Sequence, residues 1–214
     1  MNLSAVVVTY RRLASIERIL SAWLGETRDV WLCDCSPEGV RTALPINIIR
    51  AIPDPGNRLR HAVALLTAGE YVVKADDDVL PRPGIGNDFV NYQRTLGPAI
   101  LGIHGRKFNG REYYSQTKLF GSKEIAAVQE VDFVGVMTCA PRSLLAFDLR
   151  GCGSAVEDLF WQMGPARRAR KYVIPTDKFQ HLAESKDAGR LCGTPEQKQA
   201  RADYFRAMFD KNYK

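Results

Sequence analysis

Three consecutive acidic residues, Asp76-Asp77-Asp78, follow a short apolar run at residues 71–75. Aspartate is a poor strand residue and adjacent carboxylates repel one another, so such a cluster is tolerable where the chain leaves a sheet and a cation neutralises it. Hard divalent cations such as Mg²⁺ or Mn²⁺ take oxygen ligands, commonly one or two carboxylates together with substrate phosphates. The stretch therefore predicts a metal–phosphate site at the carboxyl end of a central strand, with a solvated acidic turn as the alternative. The two prolines and the glycine at residues 81–84 predict that no strand or helix continues from it.

The chain before this acidic triplet alternates between short strands and helices. Residues 3–9, 29–33 and 46–50 are apolar, β-branched runs that predict strands. Apolar residues at helical spacing predict a helix over residues 13–24, and Asn57 is the predicted amino-terminal cap of a second helix. This alternation predicts an open, mostly parallel α/β sheet.

Polar side chains stand at the ends of three of these strands. Thr9 and Asp34 end the first and second strands, and the acidic triplet ends the fourth. In open α/β sheets, ligands bind outside the carboxyl ends of the strands, so we expect all three sites to face one crevice. The first turn has no G-x-G-x-x-G, so the sequence does not favour a dinucleotide-binding fold.

The second half of the chain has a less regular pattern. The expected elements are a helix at 85–96, strands at 99–104, 111–114 and 128–134, a short helix at 141–147, a helix at 155–163, a strand at 172–174 and a closing helix from Pro195. The length of 214 residues is that of one domain with a sizeable core.

Composition limits the partners and the compartment. The net charge of +6 permits nucleic acid, an anionic membrane face or small anionic substrates. The cations are not interleaved with stacking aromatic residues, so no nucleic-acid partner is expected. Apolar stretches are strand-sized and the amino terminus leads directly into a strand, so neither a transmembrane segment nor a signal peptide is expected. The five cysteines lack paired C-x-x-C spacing, which indicates reduced thiols in a soluble, cytoplasmic protein.

Six segments, taken in order, carry the motifs of a known family. They are residues 6–12 (VVVTYRR), 32–36 (LCDCS), 57–62 (NRLRHA), 75–78 (ADDD), 131–137 (VDFVGVM) and 153–161 (GSAVEDLFW). They resemble the corresponding segments of GT-A glycosyltransferases grouped with the large family-2 enzymes, and residues 76–78 are an example of that family's DxD motif. The chain also resembles the short GT-A domains that build chlorella-virus capsid glycans, which implies a viral protein. No Q-x-x-R-W follows the Glu-Asp segment, so processive polysaccharide synthesis is not expected.

The resemblance implies a GT-A fold, an α/β domain with a central mixed, mostly parallel sheet flanked by helices. It divides the single domain 1–214 into a nucleotide-binding half at 1–100, an acceptor-binding half at 101–190 and a C-terminal helix at 195–213. The chain is either complete or part of a longer multidomain chain.

The resemblance also implies the residues that hold the nucleotide. Thr9 and Tyr10 would hold the base by hydrogen bonding and stacking, with Arg12 in the same segment; an ordinary strand end is the alternative. Arg58 or Arg60 would face the base or the phosphates. The other arginine of this pair would then be a solvated surface charge.

The acidic residues receive separate roles from the same resemblance. Asp34 would accept from the uracil imide N–H, or else is a turn residue. Asp78 would bind the metal and Asp76 the ribose hydroxyls, while Asp77 could serve in either role or point away. His181, after the last strand, would complete the metal sphere, or else is structural.

Two further acids begin the helix near residue 157. Asp158 is the candidate catalytic base, which takes the proton of the acceptor hydroxyl in an inverting enzyme. Glu157 would point elsewhere, towards acceptor hydroxyls. The alternative is a pair of acids stabilised by the dipole at a helix amino terminus. A retaining enzyme on the same fold would not need Asp158 as a base.

These residues together predict a metal-dependent glycosyltransferase. It would use Mn²⁺ or Mg²⁺ to move a hexose or deoxyhexose from a UDP-sugar, of the UDP-glucose or UDP-rhamnose type, to a hydroxyl of a glycan or glycoprotein acceptor. A sugar nucleotidyltransferase is the alternative enzyme, but it would be expected to carry a glycine-rich phosphate loop after the first strand. A non-catalytic, basic nucleic-acid-binding domain would leave the acidic residues without a purpose.

Overall fold

The central sheet is built from strands that come from both halves of the chain. The computed structural model describes residues 2–10, 12–52, 58–148, 150, 152–153, 156–182 and 194–212. The strands are β1 (Leu3–Thr9), β2 (Asp29–Asp34), β3 (Asn47–Arg50), β4 (Tyr71–Asp76), β5 (Val79–Pro81), β6 (Ala99–Phe108), β7 (Thr117–Gly121), β8 (Gln129–Glu130), β9 (Phe133–Pro141), β10 (Arg170–Val173) and β11 (Phe179–His181). The helices are α1 (Leu13–Leu24), α2 (Arg58–Ala64), α3 (Ile85–Leu96), α4 (Glu157–Met163) and α5 (Pro195–Asn212), with a 3₁₀ turn at Arg142–Leu145.

The order of the strands separates a parallel part of the sheet from a mixed part. The central sheet runs β3-β2-β1-β4-β9-β6-β10-β8, with β7 beside β6. The neighbours β3, β2, β1 and β4 are all parallel. Strand β9 then enters antiparallel between β4 and β6. The predicted α/β class, with a mixed sheet flanked by helices, is therefore confirmed.

The register of the parallel strands brings the polar strand ends together. Thr9 of β1 lies opposite Asp34 of β2, and Val8 lies opposite Asp76 of β4. The carboxyl ends of adjacent parallel strands lie at the same edge of a sheet. Three polar sites that are distant in sequence therefore share one edge, as the sequence predicted.

Helices cover both faces of this sheet. On one face, α1 and α3 bury Trp23 and Phe89 against the strands. On the other face, α2 and α4 contribute Val63 and Trp161 to a second core. A third cluster, which includes Phe205, packs α5 against α4. Helix α1 has the predicted amphipathic spacing, and the backbone N–H of Gly25 closes its last turn on the carbonyl of Ser21.

Strand β9 contains a bulge where it crosses β6. Gly102 faces Thr138, whereas His104 faces Gly135, so β9 has one residue more than β6 between these pairs. Val136, in this stretch, has a φ of +66°, a left-handed conformation that a β-branched residue rarely adopts. The bulge lies in the segment that the family resemblance places beside the acceptor site.

One expectation about the acidic turn is wrong. Residues 79–81 continue as strand β5, which pairs antiparallel with β11, and helix α3 begins soon afterwards at Ile85. Proline is compatible with a strand end that needs no donor, and Pro81 is the last residue of β5. The backbone N–H of Leu182 also donates to the carbonyl of Asp78 at 2.8 Å. The end of β11 therefore holds the acidic turn in place.

Other elements also differ from the sequence-based prediction. The single strand expected at 128–134 is divided between β8 and the start of β9, which pair with different neighbours, and β11 was not predicted. The strand expected at 111–114 is a turn, because Tyr113 packs into the aromatic cluster around Phe205 instead of alternating along a sheet. Strand β7 follows this turn and was not predicted. Asn57, the predicted cap of α2, lies outside the described residues.

Candidate active site

The acidic turn after β4 is anchored by residues from β1 and the start of α1. Thr9 Oγ1 donates to Asp77 Oδ2 at 2.9 Å. Arg12 Nη1 lies 3.0 Å from Asp77 Oδ1 and 2.7 Å from Asp78 Oδ2. Arg12 therefore bridges two of the three carboxylates, and both Thr9 and Arg12 lie within the predicted donor site.

The three carboxylates differ in their access to solvent. The side chains of Asp76 and Asp78 are 36% and 34% exposed, whereas that of Asp77 is only 14% exposed. Burial raises the pKa of Asp77 to about 6, with Asp76 and Asp78 adding repulsion and with Arg12 and Thr9 acting in the opposite direction. Of the two possibilities that the sequence left open for Asp77, the structure favours the one in which it points away from solvent, towards Thr9 and Arg12. Asp76 and Asp78 are more exposed.

Arg60 connects the acidic turn to the start of α4. Its Nη1 lies 2.6 Å from Asp76 Oδ1, and its Nη2 lies 2.9 Å from Glu157 Oε1. Burial lowers the pKa of Arg60, but Asp76, Glu157 and Asp158 more than offset it, so the net pKa is raised and the guanidinium stays charged. Of the two predicted arginines, it is therefore Arg60 that pairs with acids of the candidate site.

Glu157 is a buried acid with one unused oxygen. It is 1% exposed, and its Oε2 has no hydrogen-bond partner within the described residues. Burial, followed by the negative charge of Asp158, raises the pKa of Glu157, while Arg60 and Arg201 oppose the shift. Glu157 is therefore placed to hold Arg60, with Oε2 as a further acceptor inside the site.

Asp158 is paired with an arginine that the sequence analysis did not single out. Arg201 Nη1 donates to Asp158 Oδ1 at 2.8 Å, and Nη2 donates to Oδ2 at 3.1 Å. Burial acts to raise the pKa of Asp158, but Arg201 and then Arg60 outweigh it, so the pKa is lowered. One sequence signal was available, since Arg201 lies four residues before Phe205 on the buried stripe of α5.

A second buried cation was also missed. Lys74 lies two residues before Asp76 and is 2% exposed. Its Nζ sits 3.5 Å from the ring centroid of Trp161 and 3.2 Å from Nδ1 of His61. Burial, followed by the positive charge of Arg60, lowers the pKa of Lys74 well below its ordinary value. The sequence did contain a sign of this buried lysine, because Lys74 interrupts a strand that is otherwise apolar.

Asp34 and Arg58 both make hydrogen bonds to the backbone. Asp34 accepts hydrogen bonds from the backbone N–H groups of Ser36 at 3.0 Å and Val40 at 2.8 Å, which is the turn geometry given as its alternative. Arg58 Nη1 donates to the carbonyl of Cys152, in the loop before α4. Tyr10 lies half-buried between β1 and α1. The nucleotide contacts predicted for Asp34, Arg58 and Tyr10 stay predictions.

The carboxylates of the acidic turn fit a divalent cation better than His181 does. Asp76 and Asp78 offer the oxygen ligands that Mg²⁺ and Mn²⁺ prefer. Strand β11 runs beside the turn, but Nε2 of His181 lies 3.3 Å from Nε2 of His104. Across the described residues, no group of three or more His, Cys, Asp and Glu side chains is arranged to bind a metal. The metal role of His181 stays a prediction without support from this geometry.

Comparisons with known proteins find relatives of this fold among solved structures, although not among curated protein sequences. No family model and no curated protein sequence matches the chain. Solved structures do match it. S. aureus TarS 1–349 in complex with UDP-GlcNAc has a TM-score of 0.66 at 18% identity, over 98% of this chain and 66% of that one. A second structure of TarS 1–349 gives 0.62 at 18% identity, over 98% of this chain and 70% of that one.

A third match is S. aureus TarS 1–349 in complex with UDP, with a TM-score of 0.57 at 20% identity, over 84% of this chain and 59% of that one. The chain thus spans between 59% and 70% of the length of these TarS structures. At such identities the likeness shows the fold alone, a mixed α/β sheet flanked by helices that this chain shares with TarS. Among the described residues, no helix is long and apolar enough to cross a membrane.

Proposed function

We propose that the chain is a glycosyltransferase that moves a sugar from a UDP-activated donor to a hydroxyl of a glycan acceptor. The observation that carries the proposal is the position of Arg60 between Asp76 and Glu157, at 2.6 and 2.9 Å. It joins the acids expected at the donor side to those expected at the acceptor side. The donor class is supported by the TarS structures, which contain UDP-GlcNAc and UDP.

The donor side holds the nucleotide diphosphate. Asp76 faces the crevice and would accept from the ribose hydroxyls, while Asp78 would hold Mn²⁺ or Mg²⁺ together with diphosphate oxygens. Few protein ligands are needed, since such cations are commonly bound through one or two carboxylates and substrate phosphates. The bound cation would supply the positive charge that stabilises the departing diphosphate. Thr9 and Arg12 keep the turn in the conformation that presents these two carboxylates.

The acceptor side activates the hydroxyl. Asp158 would take the proton of the acceptor hydroxyl while that oxygen attacks the anomeric carbon and the bond to the diphosphate breaks. This role belongs to transfer with inversion. The lowered pKa of Asp158 keeps the carboxylate ionised at neutral pH, which is the form that a base requires.

The finer assignments rest on the sequence resemblance. They are a hexose or deoxyhexose from a UDP-glucose or UDP-rhamnose type of donor, a glycan or glycoprotein acceptor, a viral origin and a cytoplasmic location. A nucleotide-binding half at 1–100 and an acceptor-binding half at 101–190 belong to the same set.

A thermal-shift series tests the proposal. UDP, UDP-GlcNAc and UDP-glucose should each raise the melting temperature in the presence of Mn²⁺, because a ligand that binds only the folded state stabilises it. Single-stranded oligonucleotides are the control, because they test whether the basic charge of the protein binds nucleic acid instead. A shift with oligonucleotides and none with UDP and Mn²⁺ would refute the proposal.

A further inference from the structure

The C-terminal helix α5 supplies a buried cation to the candidate base. Arg201 is 6% exposed, and it reaches Asp158 across 43 residues of sequence. The contact is bidentate, with Nη1 to Oδ1 at 2.8 Å and Nη2 to Oδ2 at 3.1 Å. A bidentate guanidinium fixes the plane of a carboxylate as well as neutralising it.

The hydrogen bonds to Asp158 are unequal between its two oxygens. Oδ1 accepts from Arg201 and also from the backbone N–H of Leu159 at 2.8 Å. Oδ2 accepts from Arg201 alone among the described residues. An ionised carboxylate has about two acceptor positions on each oxygen. Oδ2 therefore keeps one acceptor position that the described donors do not use, on a side chain that is 19% exposed.

Arg201 is itself held by the packing of α5. Its Nη2 also donates to the hydroxyl of Tyr113 at 3.2 Å, and its guanidinium lies 5.4 Å from the centroid of that ring. Phe205, one helical turn further on, packs against the same tyrosine with ring centroids 5.3 Å apart. The guanidinium is thus fixed by contacts that do not involve the donor side of the crevice.

We propose that Arg201 is a positioning residue for the transfer, which orients Asp158 so that Oδ2 faces the acceptor hydroxyl. This inference rests on the proposed function, in which Asp158 is the base. The charge of Arg201 also counters the burial of Asp158, whose pKa is lowered. Other ionisable groups act on the same carboxylate, namely Arg60 on α2, Glu157 on α4, Lys74 and Asp76 on β4, Tyr113 before β7 and Cys152 in the loop before α4.

The substitutions R201M and R201K separate charge from orientation, and R206M is the matched control. Arg206 lies on the same helix and makes its own paired contact, with Glu112 at 3.2 and 3.0 Å. Two measurements apply to each variant. The first is the titration of the Asp158 carboxyl carbon by ¹³C NMR, and the second is the pH profile of UDP release from UDP-GlcNAc with Mn²⁺, where water takes the place of the acceptor.

R201M should raise the titration midpoint of Asp158 by about one pH unit or more, because a close opposite charge shifts a carboxylate by about 1–3 units. The acid limb of the rate profile should move by the same amount, and the maximal rate should fall about tenfold or more. R201K should keep the midpoint near that of the wild type while lowering the maximal rate, since an ammonium is a point charge without the bidentate fork. R206M should match the wild type in both measurements.

The inference is overturned if R201M leaves the Asp158 titration and the acid limb unchanged. It is also overturned if R206M reproduces the effects of R201M, because the cause would then be the docking of α5. Should R201M fail to fold, a wild-type maximal rate for R201K overturns the orienting role. If the wild type shows neither a thermal shift with UDP and Mn²⁺ nor UDP release from UDP-GlcNAc or UDP-glucose, the proposed function fails, whereas the NMR titration still decides whether Arg201 controls the Asp158 carboxylate.

Discussion

The guanidinium of Arg60 lies 2.9 Å from Glu157 Oε1, although 97 residues separate the two in sequence. The same guanidinium contacts Asp76 at the end of β4. Charge-assisted hydrogen bonds of this kind are stronger than neutral ones and fix geometry. Arg60 therefore sets the distance between the acidic turn and the start of α4, which are the two sides of the candidate site.

Replacing Arg60 by Met should destabilise the fold by about 3–5 kcal/mol, because it leaves the carboxylate of Glu157 buried without its partner. Urea unfolding at pH 7 measures this loss. R58M is the matched control on the same helix, where the arginine donates to a neutral carbonyl, and it should cost about 1 kcal/mol. Equal losses for the two variants would contradict the special role of Arg60.

Replacing Asp78 by Ala should abolish the dependence of UDP binding on Mn²⁺ while the fold stays intact, since Arg12 keeps its contact with Asp77. Isothermal titration calorimetry with UDP, in Mn²⁺ and in EDTA, measures this. D203A, on the exposed side of α5, should behave as the wild type. Undiminished affinity of D78A for UDP in Mn²⁺ would remove Asp78 from the metal site.

The substitution D158N should slow sugar transfer by about 10²-fold or more, the effect of losing a general base. The affinity for UDP with Mn²⁺ should not change, because the proposed function assigns Asp158 to the acceptor side. The measurement is UDP release from UDP-GlcNAc together with calorimetric UDP binding. A normal rate for D158N would show that another group takes the proton.

The contribution of Asp158 to stability should depend on pH. Its pKa in the folded state is lowered, chiefly because Arg201 and then Arg60 outweigh the opposing effect of burial. A lowered pKa stabilises the fold above the unfolded value of about 3.9, and this stabilisation is lost as the pH falls through the folded value. The free energy of unfolding of the wild type should therefore exceed that of D158N by about 1–3 kcal/mol near pH 7.

That difference should shrink as the pH falls from about 5 to 2. Urea unfolding over this pH range measures the free energy of unfolding of both proteins. R206M is again the control, because it changes α5 without removing a contact of Asp158. A difference that grows on acidification would contradict the favourable ion pair.

The parts of the fold set by local pattern were predictable. Helix α3 has the predicted bounds, Ile85–Leu96, because its apolar residues recur at helical spacing between two glycines. The polar ends of β1, β2 and β4 were placed at one edge because parallel strands align their carboxyl ends. The acidic triplet was recognisable because carboxylates are unfavourable inside a strand.

The parts set by distant packing were not predictable from one sequence. Strand β5 exists because β11 pairs with it, and β11 lies about a hundred residues later in the chain. The contact between Arg201 and Asp158 depends on how α5 docks, which its own periodicity does not reveal. Asp77 was ambiguous for a similar reason, since its burial and its contacts with Thr9 and Arg12 show that it points inward.

The burial of Lys74 shows the desolvation that an amine meets in this part of the protein, next to the guanidinium that stands between Asp76 and Glu157. The ammonium of Lys74, enclosed by Trp161 and His61, is driven towards its uncharged form by the same apolar surroundings that Arg60 tolerates. Burial would lower the pKa of a lysine in place of Arg60 as well, against the opposing charges of Asp76, Glu157 and Asp158. The exchange of arginine for lysine, harmless on most surfaces, would here leave two acids without a counterion whenever the amine gave up its proton.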